Sequence, residues 1–228
     1  MIKQFLVKNS FLFNIYLIYF YFKFNFFTKK ESYSQFDEDI IINKYFKNFI
    51  GTYVDIGCYH PIKYNNTAML YKKGWNGTNI DLNQTSISLF NFSRLRDKNI
   101  LACLSNKEEW LDVYSDNEFS ALNSTNKENI KNFKIKNFKK NRIKTKIFSK
   151  IIKQKFDFLN IDCEGNDYKI LKTINLKKFK PKLICVEVTK ESKKLIYNYL
   201  NSNNYEILTV RSLSHIFKYK NWYKVRNI

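Results

Sequence analysis

Apolar and polar positions follow two repeats along this chain, one of helical spacing and one alternating, and from Ser34 onward the two take turns. Residues 37–49 carry Ile40, Ile41, Tyr45 and Phe49 at helical spacing and run into Gly51, which predicts a helix and its end. Residues 52–56 predict a short strand leading into Gly57, 67–73 a helix ended by Gly74, and 78–82 a strand. A helix over 84–95 and a third strand over 99–104 follow. Strands are predicted at 110–114 and 143–147, and a helix at 148–154. Residues 156–162 read as a buried strand, with a helix at 168–173, a strand at 182–188 and a helix at 191–201. Strands at 205–210 and 216–219 are close enough to form an antiparallel hairpin. The stretch 123–141 is rich in lysine and asparagine with weak periodicity, and predicts an exposed loop or lid. Strands alternating with helices predict an α/β fold, a mostly parallel sheet with helices on both faces.

The N-terminus breaks this pattern. Residues 11–22 read FLFNIYLIYFYF, preceded by Lys3 and Lys8 and followed by Lys23, Lys29 and Lys30. Those 12 residues fall short of the roughly 18–20 needed to span a bilayer. No small-residue cleavage site follows, as a signal peptide requires. An aromatic, lysine-flanked segment suits an interfacial helix on an anionic membrane face, and a helix packed on the domain is the other reading. The chain therefore divides into residues 1–30 and a domain over 31–228, expected in the cytoplasm with peripheral membrane association left open.

The formal charge of +20 first suggests nucleic acid. Its make-up does not. Of 40 basic residues only Arg94, Arg96, Arg142, Arg211 and Arg226 are arginine, the residue suited to bidentate phosphate and guanine contacts. Abundant lysine, asparagine, isoleucine, phenylalanine and tyrosine fit A/T-rich coding, so no specific nucleic-acid partner is expected. Cys58, Cys103, Cys163 and Cys185 form no CxxC pair, which leaves zinc unsupported. Cys103, Cys163 and Cys185 lie in apolar runs and read as small buried hydrophobes.

Three segments carry chemistry. In YVDIGCYHP (53–61) a strand delivers Asp55 to a turn at Gly57, where an open α/β sheet binds its ligands. A dinucleotide would need G-x-G-x-x-G there to cradle pyrophosphate, and that run is missing. Asp55 would repel pyrophosphate and suit a cationic group. In GWNGTNID (74–81) a second strand ends in Asp81, placed to accept hydrogen bonds from ribose hydroxyls. In DFLNIDCEG (157–165) an apolar strand delivers Asp162 and Glu164, which extended backbone would point to one side. His60 follows the first turn and is a second choice of base after Asp162, although a histidine before proline can simply shape the loop. A divalent ion on Asp162 and Glu164 lacks an obvious third ligand, so no metal is expected. His215 reads as structural, and Glu187 as either a pocket wall or a polar strand cap.

These segments, in order with SQFDED (34–39), Asn66-Thr67 and ICVE (184–187), resemble the FkbM family of methyltransferases over about residues 32–220. The resemblance implies a Rossmann-like class I methyltransferase fold with a seven-stranded sheet. It implies S-adenosylmethionine as methyl donor and a hydroxyl acceptor, commonly on a sugar or polyketide. By position, Asp55 and Gly57 take the methionine end, and Cys58, Asn66 and Thr67 are also read as cofactor-binding. Asp81 takes the ribose, and the turn 102–106, with Leu104 and Ser105, the adenine. Asp162 and Glu164 stand nearest the methyl group or acceptor, a glycan hydroxyl by analogy. Where the family usually has Gly this chain has Asp37, where it has a small residue this chain has Cys58, and its Glu-Pro pair is Asp81-Leu82. Two other classes stay open: a nicotinamide oxidoreductase on a similar sheet, and a non-catalytic membrane-surface or nucleotide-binding protein.

Overall fold

The computed structural model describes residues 6–7, 9–115, 117, 138–220 and 222. Seven strands form the main sheet: β1 (Thr52–Ile56), β2 (Asn76–Asp81), β3 (Lys98–Leu101), β7 (Phe158–Ile161), β8 (Leu183–Glu187), β9 (Tyr205–Arg211) and β10 (Ser214–Tyr219). Their order is β3-β2-β1-β7-β8-β10-β9. All neighbours run parallel up to β8, while β10 runs antiparallel to both β8 and β9. The α/β fold and the closing hairpin expected from the pattern are both present.

Side chains of successive strand residues point to opposite faces, and each face has its own core. Val54 and Ile56, Leu159 and Ile161, Ile184 and Val186 join one cluster with Ile170, Leu171, Ile196 and Leu200. Tyr53, Phe158, Leu183 and Cys185 join another with Ile42, Phe46 and Trp75. Helices Asp167–Leu171 and Lys193–Ser202 cover the first face, and helix Glu38–Phe46 covers the second.

Three differences from the sequence pattern have local causes. The third strand, read as 99–104, is two strands. β3 leaves the main sheet at Leu101, and β4 (Cys103–Ser105) pairs with β6 (Lys139–Ile147) in a small sheet of order β4-β6-β5, β5 being Trp110–Ser115. An apolar run continues across that corner, so periodicity alone could not place the break. The stretch 123–141, read as loop or lid, lies mostly outside the described residues, but its last positions belong to β6. The helix read over 37–49 stops at Phe46, because Lys47 takes φ 51° and breaks the helical hydrogen-bond run.

The N-terminal helix Ser10–Phe22 continues through one π-helical turn, Lys23–Phe27. Leu17, Phe20 and Phe24 bury against Ile62, Ala68, Tyr71 and Leu89. Each such ring or leucine contributes about 1.5–3 kcal/mol by leaving water. The segment is packed on the domain, and no described helix is long and apolar enough to cross a membrane.

Candidate active site

The strand tips of β1, β2 and β7 are drawn together by backbone hydrogen bonds. Gly57 N donates to Ile80 O (2.8 Å), and Asp162 N donates to Ile56 O (2.9 Å). Gly57 takes φ 77°, and a Cβ there would overlap the Asp162 carbonyl, so only glycine lets these strands meet. Beyond the tips opens a cleft with about 1090 Å³ of empty space, open solvent at its mouth included. Its position at the carboxyl edge of the parallel strands is the one such sheets use for ligands.

Of the residues singled out in the sequence, Gly57, Asp81, Leu104, Ser105, Asp162 and Glu164 line this cleft together. Asp81 is fixed by backbone donors, Tyr59 N to Oδ2 and Asn83 N to Oδ1, each at 2.8 Å. The carboxylate also lines the cleft, where it can accept from a ligand hydroxyl. Burial outweighs those hydrogen bonds and raises the Asp81 carboxyl to about 6. Leu82, Ala102, Leu104 and Leu111 give one side of the cleft an apolar lining.

Asp55, Cys58, His60, Asn66 and Thr67 are not in the lining. Asp55 is fully buried behind it, accepting from Thr67 Oγ1 and Asn160 Nδ2 at 2.8 Å each. Asn66 Nδ2 in turn donates to Asn160 Oδ1 at 2.9 Å. Arg94, also fully buried, donates to Thr67 Oγ1 (2.7 Å), Asn65 Oδ1 (2.6 Å) and the Pro61 carbonyl (3.0 Å). These residues therefore brace the 58–67 loop from beneath. Cys58 packs between Ile87 and Phe90. His60 turns Nδ1 to the Ile62 and Lys63 amides at 3.0 and 3.3 Å and sets its ring edge-on to Phe20. It shapes the loop, the plainer of its two readings.

A second acidic group was only partly visible in the sequence. Carboxylate oxygens of Asp162, Asp167 and Glu187 lie within 4.8 Å of one another. Extension does not persist to Glu164, which takes φ 50° and so departs from the paired geometry read for Asp162 and Glu164. Asp167 caps the turn, accepting from Cys163 N (2.8 Å) and Gly165 N (3.0 Å). Burial first, then the charge of Glu187, raises Asp167 to about 8 and Glu164 to about 7. Burial and then the charges of Glu187, Asp167 and Glu164 push Asp162 well above the usual carboxylate range, even though its side chain stays accessible from the cleft. Among the described residues no lysine or arginine forms an ion pair with Asp162, Asp167 or Glu187. Such a group attracts a cation, whether an organic ligand or a divalent ion; the third ligand missing from the sequence reading would be Asp167 or Glu187.

Tyr59 and Tyr64 also line the cleft, stacked with ring centroids 6.3 Å apart, and both take positive φ (50° and 51°). With Glu164 they make three cleft-lining residues that take positive φ, the kind of backbone strain that clusters at ligand sites. Nothing in composition or spacing distinguishes those tyrosines among the 16 in the chain.

Sheet order, a hairpin closing one edge and a cleft at the parallel strand tips define a Rossmann-like α/β protein of the methyltransferase class. A family model described as Methyltransferase FkbM domain matches residues 55–207, and the chain belongs to that family. No curated protein matches the chain significantly. Among solved structures it is similar to methyltransferase FkbM from Methylobacillus flagellatus KT, at 14% identity and a TM-score of 0.51. The match covers 75% of this chain and 44% of that one, so this chain spans less than half the length of the solved relative. At that identity the likeness bears on the fold.

Proposed function

We propose that this chain transfers a methyl group from S-adenosylmethionine to a hydroxyl, on a sugar or glycan by family analogy. One observation carries the reading: one cleft is lined both by a ribose-competent carboxylate, Asp81, and by Asp162, whose oxygens lie close to those of Asp167 and Glu187 and which has no ion-paired lysine or arginine among the described residues. The donor set suits that cofactor. Asp81 would accept from both ribose hydroxyls, the apolar wall of Leu82, Ala102, Leu104 and Leu111 would cover the adenine, and the acidic group would face its cationic end. When bound, the cofactor supplies an electrophilic methyl on a positively charged sulfur.

The chain's own residues then orient and deprotonate. Glu164 lines the cleft with a carboxyl held near 7, the range in which a general base both accepts a proton and stays available. Asp162, whose carboxyl is held well above the usual carboxylate range by burial and by the charges of Glu187, Asp167 and Glu164, stands beside Asp167 and Glu187. Asp162 therefore serves the cationic side. Positioning of the two reactants by the cleft residues would supply the larger share of the rate.

Titration calorimetry with S-adenosylmethionine and S-adenosylhomocysteine tests the reading. Folded chain that binds neither removes it, and binding followed by labelled methyl transfer into cell-envelope carbohydrate supports the finer acceptor class.

A further inference from the structure

The N-terminal helix has two apolar faces, and the domain uses only one. Leu17, Phe20 and Phe24 are buried against the fold. Phe11, Ile15, Ile18, Phe22 and Phe26 recur at spacings of four, three, four and four, which is one continuous stripe on a helix. That stripe points away from the domain, its members between 49% and 70% exposed, and the adjoining Phe27 is 79% exposed. Phe22 and Phe26 stack with ring centroids 6.0 Å apart on this outer surface. Tyr19 borders it, with the Lys23 ammonium 5.7 Å from its ring. An apolar patch of this kind, rimmed by polar groups, marks an interaction surface.

Charge identifies the occupant. Residues 1–30 hold five lysines (Lys3, Lys8, Lys23, Lys29, Lys30) and no acidic residue. Lys23, Lys29 and Lys30 are exposed. A second copy of the chain would bring the same lysines and the same charge of +20, and the two faces would repel. An acidic layer with an apolar interior meets both demands. The helix of 13 residues is about 20 Å long, too short to cross a bilayer but able to lie along it.

We propose that this outer face docks the chain on an anionic lipid bilayer, with the aromatic stripe at the acyl boundary and the lysines among the headgroups. Phe20, on the inner face, holds its ring 5.2 Å from that of His60, in the loop that supplies Tyr59 and Tyr64 to the cleft. Docking therefore takes place beside one wall of the cleft.

The test is sedimentation of the full chain with vesicles of phosphatidylcholine, alone or mixed with phosphatidylglycerol, at low and high salt. Binding is expected to the anionic vesicles and to weaken with salt. The double variant Ile18→Asp with Phe22→Asp should lose about 10-fold or more in affinity while its melting temperature holds, because neither side chain packs inward. In Ile18→Trp, brominated lipid should quench the added indole, a readout that survives if the double variant misfolds. Failure of the full chain to sediment with anionic vesicles overturns the proposal. So does undiminished binding by the folded double variant, an unquenched indole in bound Ile18→Trp, or a dimer that the double variant dissolves without any lipid binding. None of these outcomes depends on methyl transfer.

Discussion

Asp81 and Asp55 look alike in the sequence, each an aspartate at the end of an apolar strand, yet they do different work. Asp81 keeps a face toward the cleft and uses backbone amides for its other lone pairs. Asp81→Ala should therefore weaken S-adenosylmethionine and S-adenosylhomocysteine alike by about 10- to 100-fold in calorimetry, the worth of charge-assisted hydrogen bonds. Unchanged affinity would remove the residue from the site. Asp55 is instead the buried end of a chain of hydrogen bonds through Thr67 to Arg94. Arg94 is fully enclosed and also contacts Asn65 and the Pro61 carbonyl, so Arg94→Met leaves several acceptors and the nearby Asp97 uncompensated. It should cost about 3–5 kcal/mol in denaturant titration. Strand parity foretold part of this: Asp55 shares its face with Tyr53, opposite Val54 and Ile56, and lies in register with Asn160 on β7. The functional reading of Asp55 came from its place at a strand tip before Gly57, a position that spacing shows, whereas what its face meets emerges only when the strands pair. Asp37 is the opposite case. It stands where the family usually has glycine, and it takes φ 62°, a conformation glycine reaches without cost.

Short elements hold the site, and their tips matter more than their lengths. The meeting of β1, β2 and β7 depends on Gly57, where a side chain would strike the Asp162 carbonyl and also require positive φ. Gly57→Ala should push β1 and β7 apart at that end, so that the variant melts well below the parent, by several kcal/mol, and loses cofactor binding with it. A variant that keeps both would show that the strand tips can separate without penalty. Most strands were legible as period-two apolar runs. β3 and β4 were not, since the run 99–104 stays apolar while its backbone changes partner from β2 to β6. Hydrophobicity reports burial, and both halves are near or in the core; which sheet they join is set by hydrogen-bond partners far away in the chain.

At the scale of the whole molecule, a basic chain sets three acids with raised carboxyls at the tips of its parallel strands. Asp81, Glu164 and Asp167 have carboxyls raised to about 6, 7 and 8 from 3.8, 4.5 and 3.8. Between the unfolded and folded values the native state binds more protons than the unfolded one, so these groups make stability fall as pH rises from about 4 to 8. Melting temperature without ligand should be higher near pH 5.5 than near pH 8, a window of about 2.5 units that calorimetry can scan. A cationic ligand neutralises the same group, so its stabilising effect should grow over that range and its binding should release protons. Calorimetry in buffers of different ionisation enthalpy measures that release, and none detected would mean the acidic group does not face the ligand. Sequence alone determined the α/β alternation, the closing hairpin, the three acid-bearing segments and the FkbM resemblance, because apolar period and residue type are written locally. Tertiary structure decided which acids reach the cleft, that Asp167 and Glu187 join Asp162, that Tyr59 and Tyr64 form a wall, and that the N-terminal helix buries one apolar face and shows the other. Those outcomes depend on which residues from distant segments meet, and that is fixed only when the strands pair and the helices pack.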